Sequence, residues 1–175
     1  MEASRKVTDR IARFSELRRD VNSYLDDTLP GHVRSAMMLI GTSKGRNDPN
    51  LSSPLPPEEF TMGLQEMTTG NGPGLHSHRT VEVFMPLSGT WRLYWIDDET
   101  GEEGEDVLAT WDVVSVPANV WRGLELTSEG EGLLLAVRGG ADGGGIAWHP
   151  SVLEEAARHG RTLDDAGRLV VAADS

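Results

Sequence analysis

Hydrophobic positions recur with two different periods along the chain. In the first segment, apolar residues return at three- and four-residue steps with charged residues between them, which is the pattern of an amphipathic helix. The apolar stripe consists of Val7, Ile11, Phe14, Leu17, Val21, Tyr24 and Leu25. Pro30-Gly31 follows and is typical of a helix end. The pattern predicts an N-terminal helix whose stripe covers the outside of the domain or a partner subunit.

From Phe60 to Arg138 the period changes to short apolar or alternating runs that are separated by turn residues. The runs are Phe60–Met67, Val81–Leu87, Trp91–Ile96, Val107–Thr110, Val113–Val116, Val120–Leu126 and Leu133–Arg138. Closely spaced short strands of this kind are typical of a β-sandwich or barrel. Ala36–Ile40 is a further predicted strand, and the acidic stretch Asp97–Asp106 is a predicted exposed hairpin tip.

These hydrophobic patterns divide the 175 residues into one domain with an extension at each end. Residues 1–57 should hold the helix, the early strand and the loop Gly41–Pro57, and loops of this length are often lids or binding loops. Residues 58–140 should form the barrel. Residues 141–175 should form a C-terminal helix and tail, with Ser151 and Glu154 as a capping box and Gly160 at the helix end.

The residues with the strongest chemical signal are His76, His78 and Glu82. All three have the same parity, so a single extended strand could aim two imidazoles and a carboxylate into the same space. Two neutral imidazoles and one carboxylate are a good ligand set for a divalent transition metal, with open positions left for water, dioxygen or substrate. We therefore expect a metal site on these three residues.

The spacing of this segment resembles the first motif of the cupin superfamily. Gly70, five residues, His76-x-His78, three residues, Glu82, six residues and Gly89 reproduce that motif at every spacing. The resemblance implies an all-β fold, a double-stranded β-helix or jelly-roll barrel, here with helices at both ends, and a homodimer. Members of the superfamily include dioxygenases, isomerases, lyases, sugar-binding regulators and storage proteins, so the resemblance defines the fold more closely than the reaction.

The second cupin motif resembles this chain less closely. Trp111, Pro117, Asn119 and Arg122 stand where the family has glycine, proline, glycine and histidine. Asn119 can take the place of a glycine because asparagine also accepts positive φ. The histidine is the fourth metal ligand in most metal-binding cupins. Arg122 cannot replace it, because a guanidinium stays protonated and has no lone pair to give.

Two interpretations of Arg122 follow. In the first, His76, His78 and Glu82 hold the metal alone, and Arg122 points into the barrel mouth and binds a carboxylate, phosphate or enolate of the substrate. In the second, Arg122 pairs with Glu82 and neutralises it, and no metal binds. We favour the first, because two imidazoles at alternate positions have little purpose in a metal-free barrel.

The expected function is that of a metal-dependent cupin enzyme acting on a small anionic or enolisable molecule. The metal would be iron, with manganese, nickel or zinc as alternatives, and the reaction a dioxygenase-type or isomerase/lyase reaction. Glu82 and Arg122 are the candidate catalytic residues, and Arg122 and Tyr94 are the candidate substrate-binding residues. Tyr94 could donate a proton, or could simply be an exposed strand tyrosine. The alternative is a non-catalytic small-molecule-binding cupin, either a sensor or a metal-free binding protein.

The composition of the chain narrows the range of expected binding partners. The formal charge of −12 would repel phosphate backbones and anionic membrane surfaces, so neither nucleic acid nor membrane is an expected partner. The chain has no cysteine, which excludes disulfides and thiolate metal ligands. Its first residues have no apolar run typical of a secretory signal, and no stretch approaches the length of a transmembrane helix. We therefore expect a cytoplasmic protein.

Overall fold

The computed structural model describes residues 6–41, 53–56, 58–165 and 167–171. The predicted lid or binding loop Gly41–Pro57 lies largely outside these residues. The strands are β1 (Arg34–Ile40), β2 (Phe60–Thr68), β3 (His76–Ser77), β4 (Glu82–Ser88), β5 (Trp91–Asp97), β6 (Glu102–Leu108), β7 (Val114–Val116), β8 (Trp121–Leu126), β9 (Glu131–Gly139), β10 (Ala147–Trp148), β11 (Arg161–Leu163) and β12 (Leu169–Val171). One α-helix, α1 (Pro150–Arg158), lies between β10 and β11.

The strands form two antiparallel sheets of five strands, in the orders β1-β2-β9-β4-β7 and β10-β3-β8-β5-β6. β11 and β12 form a separate two-stranded sheet. Most neighbours within the two larger sheets are distant in sequence, because the chain passes repeatedly from one sheet to the other. This arrangement confirms the predicted jelly roll. β1 and β10 belong to these sheets, so the sheets extend beyond the predicted barrel limits of residues 58–140.

Alternating side chains from both sheets fill the space between them. On β5, Trp91 and Leu93 are 0% and 4% exposed, and on β9 Leu134 and Ala136 are buried in the same cluster. Between β5 and β6 the turn is short. Much of the acidic stretch predicted as a hairpin tip is therefore strand, since β6 begins at Glu102. The carboxylates on this strand are consequently ordered by the sheet rather than held on a loose tip.

The N-terminal helix prediction is wrong. Two short 3₁₀ turns, Val7–Arg10 and Phe14–Glu16, occupy part of the predicted helix. Farther along, the backbone bonds to the sheet, because the amide of Asp20 donates to the carbonyl of Ala36 at 2.9 Å and the amide of Ala36 donates to the carbonyl of Asp20 at 2.8 Å. Bonds to the edge strand β1 take the place of the i to i−4 bonds that a helix needs. The apolar stripe is therefore split, with Leu17, Tyr24 and Leu25 buried and Val7, Ile11, Phe14 and Val21 exposed.

Buried ion pairs and hydrogen bonds fix the segment from Tyr24 to Asp27 to the rest of the domain. Nη2 of Arg34 lies 2.6 Å from Oδ1 of Asp26, and both residues are buried. From the other end of the chain, Arg161 donates to the carbonyl oxygens of Tyr24 and Leu25, each at 2.7 Å. The N-terminal segment is thus held by side chains from both a barrel strand and the C-terminal region.

The C-terminal helix is confirmed, but its predicted capping box is not formed. Pro150 is the first helical residue, and the ring nitrogen Nδ1 of His149 accepts the backbone N–H of Ser151 at 3.3 Å. The helix therefore begins before Ser151, and its N-cap is His149. Gly160 has a φ of +69° just beyond the helix, which is the conformation expected at its end. Among the described residues, no helix has the length and apolar character needed to cross a membrane.

Candidate metal centre

The three predicted ligands converge, although not on one strand. His76 lies on β3 and Glu82 begins β4, and these strands belong to different sheets. The chain bends between them, so the single-strand geometry predicted from parity is wrong, and the site bridges the two sheets instead. Nε2 of His76 lies 3.5 Å and Nε2 of His78 lies 3.4 Å from Oε2 of Glu82. All three side chains are buried, and their candidate ligand atoms lie within 4.8 Å of one another.

Backbone carbonyls orient both imidazole rings. Nδ1 of His76 lies 2.8 Å from the carbonyl oxygen of Gly74, and Nδ1 of His78 contacts the carbonyl oxygen of Gly145. A carbonyl oxygen can only accept, so Nδ1 carries the proton in each ring. Each Nε2 atom is therefore directed toward Glu82. This is the orientation that ligating histidines have in metal proteins, where a carbonyl or carboxylate receives the second ring N–H.

Burial and neighbouring charges set the protonation states of the site. Burial lowers the pKa of His78 to about 3, although the carboxylate of Glu82 acts in the opposite direction. Burial by itself would raise the pKa of Glu82, but His78 and Arg122 hold the pKa of this carboxyl well below its ordinary value. At neutral pH His78 is neutral and Glu82 is ionised. These are the states in which the two groups bind a metal.

Arg122 pairs with Glu82, as the second interpretation of this residue predicts. It is the register partner of His76 and is 0% exposed, so it does not reach the barrel mouth as expected. Its Nε and Nη2 donate to Oε2 of Glu82 at 3.0 and 2.6 Å, and its Nη1 donates to the carbonyl of Val120 at 3.0 Å. The physical reason is that a buried carboxylate requires neutralisation, and a guanidinium supplies both charge and paired donors.

A second arginine, which the motif does not contain, lies near the other oxygen of the carboxylate. Arg138 on β9 is the register partner of Glu82, and its Nε lies 3.8 Å from Oε1 of Glu82. Its signal in the sequence is the alternation of β9, in which Leu134, Ala136 and Arg138 all face the interior. The carboxylate of Glu82 thus faces two buried guanidinium groups.

The donor set fits a divalent metal. Ligand atoms roughly 2.0–2.2 Å from a metal lie roughly 3 Å or slightly more apart, and the observed separations of 3.4 and 3.5 Å are close to this. The cavity beside the three ligands is about 10 Å³, which is room for about one water-sized group. Oε2 of Glu82, the oxygen that both rings face, is also the oxygen that Arg122 contacts. A metal and the guanidinium would therefore compete for the same oxygen.

Tyr94 does not join this group. It lies on β5 between Leu93 and Trp95 and faces the opposite side of the strand, against Gly123. A Cβ atom on Gly123 would lie 2.3 Å from Cζ of Tyr94, so the ring covers the backbone there. Burial raises the pKa of Tyr94 to about 12. Tyr94 is therefore not one of the converging residues, and its role in substrate binding stays a prediction.

The backbone at the motif positions keeps the conformation that glycine would allow. Gly70, Gly89, Trp111 and Asn119 have φ values of 78°, 84°, 75° and 66°. The positive φ of Asn119 agrees with its expected substitution for glycine. Trp111 differs from the glycine of the motif in residue type, but its backbone keeps the positive φ that a glycine would adopt. The amide of Trp111 donates to the carbonyl of Pro86 at 2.9 Å.

Comparison with known proteins shows similarity in structure and none in sequence. No known family model matches the chain, and no curated protein matches it by sequence. An oxalate oxidase structure is 15% identical over 81% of this chain and 70% of its own, with a TM-score of 0.54. Oxalate decarboxylase from Bacillus subtilis is 18% identical over 74% of this chain and 29% of its own, with a TM-score of 0.52. A structure of DMSP lyases is 16% identical over 66% of this chain and 52% of its own, with a TM-score of 0.51.

These matches show that the chain has the cupin fold. The chain spans 52% of the DMSP lyase structure, 29% of the oxalate decarboxylase and 48% of a second oxalate oxidase structure, so it corresponds to only part of each. At identities of 18% or lower, the fold is what they share with this protein.

Proposed function

We propose that this cupin-fold protein is a metal-dependent enzyme in which His76, His78 and Glu82 hold a divalent metal. The observation that carries the proposal is the orientation of the two imidazoles. Each Nδ1 is fixed by a backbone carbonyl, so both Nε2 atoms face one carboxylate oxygen at 3.4 and 3.5 Å. Two buried rings held in this way gain little as core packing, whereas they form an open two-histidine, one-carboxylate site.

The metal is iron in this proposal, with manganese, nickel and zinc as alternatives. When bound, it would supply Lewis-acid charge that stabilises a developing enolate or carboxylate oxygen. Arg122 would neutralise Glu82 in the absence of the metal. With a metal bound, its buried guanidinium would have to leave Glu82 and move toward the barrel mouth to bind an anionic group of the substrate. A guanidinium beside a dication is repelled unless an anion lies between them, so metal and anion should bind together.

The substrate in this proposal is a small organic anion or an enolisable molecule, and the reaction is of the dioxygenase or isomerase/lyase type. Names of similar structures support this class in part, since they include an oxalate oxidase, an oxalate decarboxylase and DMSP lyases. Dioxygen consumption by the iron-loaded protein with candidate anions separates an oxygenase from an isomerase or lyase. We also propose that the active protein is a homodimer in the cytoplasm.

The second candidate function is metal-free binding of a small molecule. The observation that favours it is the ion pair between Arg122 and Glu82, in which Nη2 and Oε2 are 2.6 Å apart. A carboxylate already neutralised by a guanidinium has less need of a metal, because the buried charge is satisfied. In this case the protein would act as a sensor or carrier without turnover.

Metal titration of four proteins distinguishes the two functions. We expect untagged wild type to bind one Fe²⁺ or Mn²⁺ per chain by calorimetry, His76→Ala to lose this binding, and His159→Ala to keep it. His159 is the matched control, because it lies at the surface beyond α1. Arg122→Ala should bind metal with unchanged or higher affinity. Wild type that takes up no metal, together with Arg122→Ala that does, would contradict the enzyme proposal and support metal-free binding.

A further inference from the structure

A second and larger cavity lies where the two sheets leave a gap. β6 and β7 are the edge strands of different sheets and do not pair with each other. Between them is a groove of about 420 Å³, within the range of small-molecule sites. None of the three candidate metal ligands lines this groove. The groove is therefore separate from these three residues, although Trp95, which lines it, is the register partner of Arg122.

The inner part of the groove is apolar. Leu93, Leu108 and Val116 form its floor and are at most 8% exposed, and the half-buried indole of Trp95 forms one wall. Gly104 on β6 is opposite Trp95, and a Cβ atom there would lie 2.6 Å from Cζ2 of the indole. The glycine thus lets the ring lie flat over the strand and keeps an aromatic surface on the groove.

The outer part of the groove is acidic. Asp97 and Glu102 are register partners at the end of the β5–β6 hairpin, and Asp106 lies on the same face of β6 as Glu102 because residues four apart on a strand share a face. None of the described residues that line the groove is basic. Within the described part of the chain, these three carboxylates form no ion pair with a basic side chain.

We propose that this groove binds a small organic cation, a protonated or quaternary amine attached to an apolar body about the size of an aromatic ring. The apolar floor would bury the body, and the carboxylates would face the positive charge at the entrance. The face of Trp95 adds an attraction for cations that it does not offer to neutral or anionic groups. The negative rim and the net charge of −12 disfavour anions of the same shape.

The experiment compares three phenylethyl probes that differ only in the polar end group: phenethylammonium is a cation, 2-phenylethanol is neutral and 3-phenylpropanoate is an anion. Calorimetric titration of the full chain at neutral pH and low salt should show phenethylammonium binding about tenfold tighter than the alcohol, with 3-phenylpropanoate weakest. Binding of the cation should weaken with added salt. Equal affinity for the alcohol and the cation would overturn the proposal, as would the absence of saturable binding of the cation.

Three variants locate the binding. Glu102→Gln and Asp106→Asn should each lower the affinity for phenethylammonium by about fivefold. Glu103→Gln is the matched control. This substitution removes the same charge from the same strand, but Glu103 faces the opposite side of the sheet. An equal loss in the control would mean a general effect of surface charge and would overturn the site. His76→Ala should bind the probe normally, so failure of the metal proposal would leave this one standing.

Discussion

The buried ion pair between Asp26 and Arg34 joins the N-terminal segment to the barrel, and its removal gives a stringent test of how that segment is held. Oδ1 of Asp26 lies 2.6 Å from Nη2 of Arg34, and Oδ2 accepts the backbone N–H of Gly74 at 2.9 Å. The side chains of Asp26 and Arg34 are 0% and 2% exposed. Neither partner has water available to replace the other, so the pair should matter far more than an ion pair at the surface.

We expect Asp26→Ala to lower the free energy of unfolding by about 3–5 kcal/mol, because it leaves the buried charge of Arg34 without its carboxylate. The amide of Gly74 also loses its acceptor. Asp26→Asn keeps a side-chain oxygen for that amide and removes only the charge, so we expect a loss of about 2 kcal/mol. The free energy of unfolding of a whole domain is only about 5–15 kcal/mol. The second variant therefore keeps the test usable if the first is too unstable to purify.

Urea unfolding followed by tryptophan fluorescence measures these differences. The matched control is Glu66→Ala, which breaks the ion pair with Arg19, in which the side chains are 31% and 44% exposed. This surface pair should contribute at most about 1 kcal/mol. If Asp26→Ala and Glu66→Ala destabilised the protein equally, burial would not control the strength of these pairs and the reasoning would be wrong.

The pH dependence of the Asp26→Asn effect has a definite sign. Burial by itself would raise the pKa of Asp26, but Arg34 outweighs it and the pKa is lowered. A carboxyl with a lowered pKa stabilises the fold above the pKa of the unfolded chain, about 3.9, and this stabilisation is lost as the pH falls. The difference between wild type and Asp26→Asn should therefore shrink below about pH 4. Burial raises the pKa of the adjacent Asp27, which acts with the opposite sign and is present in both proteins.

Three further predictions test the backbone and the site. Trp111→Gly should be more stable than Trp111→Ala by about 1 kcal/mol in urea unfolding, since alanine is strained at a φ of 75°; equal stability would contradict this. Gly144→Ala should weaken Mn²⁺ binding measured by calorimetry, because its Cβ would lie 2.4 Å from Oγ1 of Thr80 and would displace the loop whose next carbonyl orients His78; unchanged affinity would refute that role. Tyr94→Phe should leave Mn²⁺ affinity unchanged, and a loss would place the phenol nearer the site than β5 allows.

The sequence was sufficient for the fold class and for the identity of the three converging candidate ligands. Short alternating runs between turn residues predicted the strands, because a period of two is a direct consequence of strand geometry. The spacing from Gly70 to Gly89 predicted that His76, His78 and Glu82 would meet. It could not show that they meet across two sheets, because parity describes one strand and the chain bends before Glu82.

Only the tertiary structure showed which conformation the N-terminal segment adopts. The three- and four-residue apolar period favoured a helix, but Asp20 instead pairs with Ala36 on β1. A periodic stripe states which residues could be buried together, whereas an open sheet edge distant in sequence offers backbone partners that no local pattern reveals. The same limit applies to the helix cap, where His149 rather than Ser151 accepts the first free amide.

The partner of Arg122 was also decided by the tertiary structure. From the sequence, capture of a substrate anion and pairing with Glu82 were both consistent with an arginine at that position. The registers of β3 with β8 and of β4 with β9 place both Arg122 and Arg138 next to one buried carboxylate. Long-range strand register determines which charges become neighbours, and because an interior charge needs a partner, that register selects the ion pair that forms.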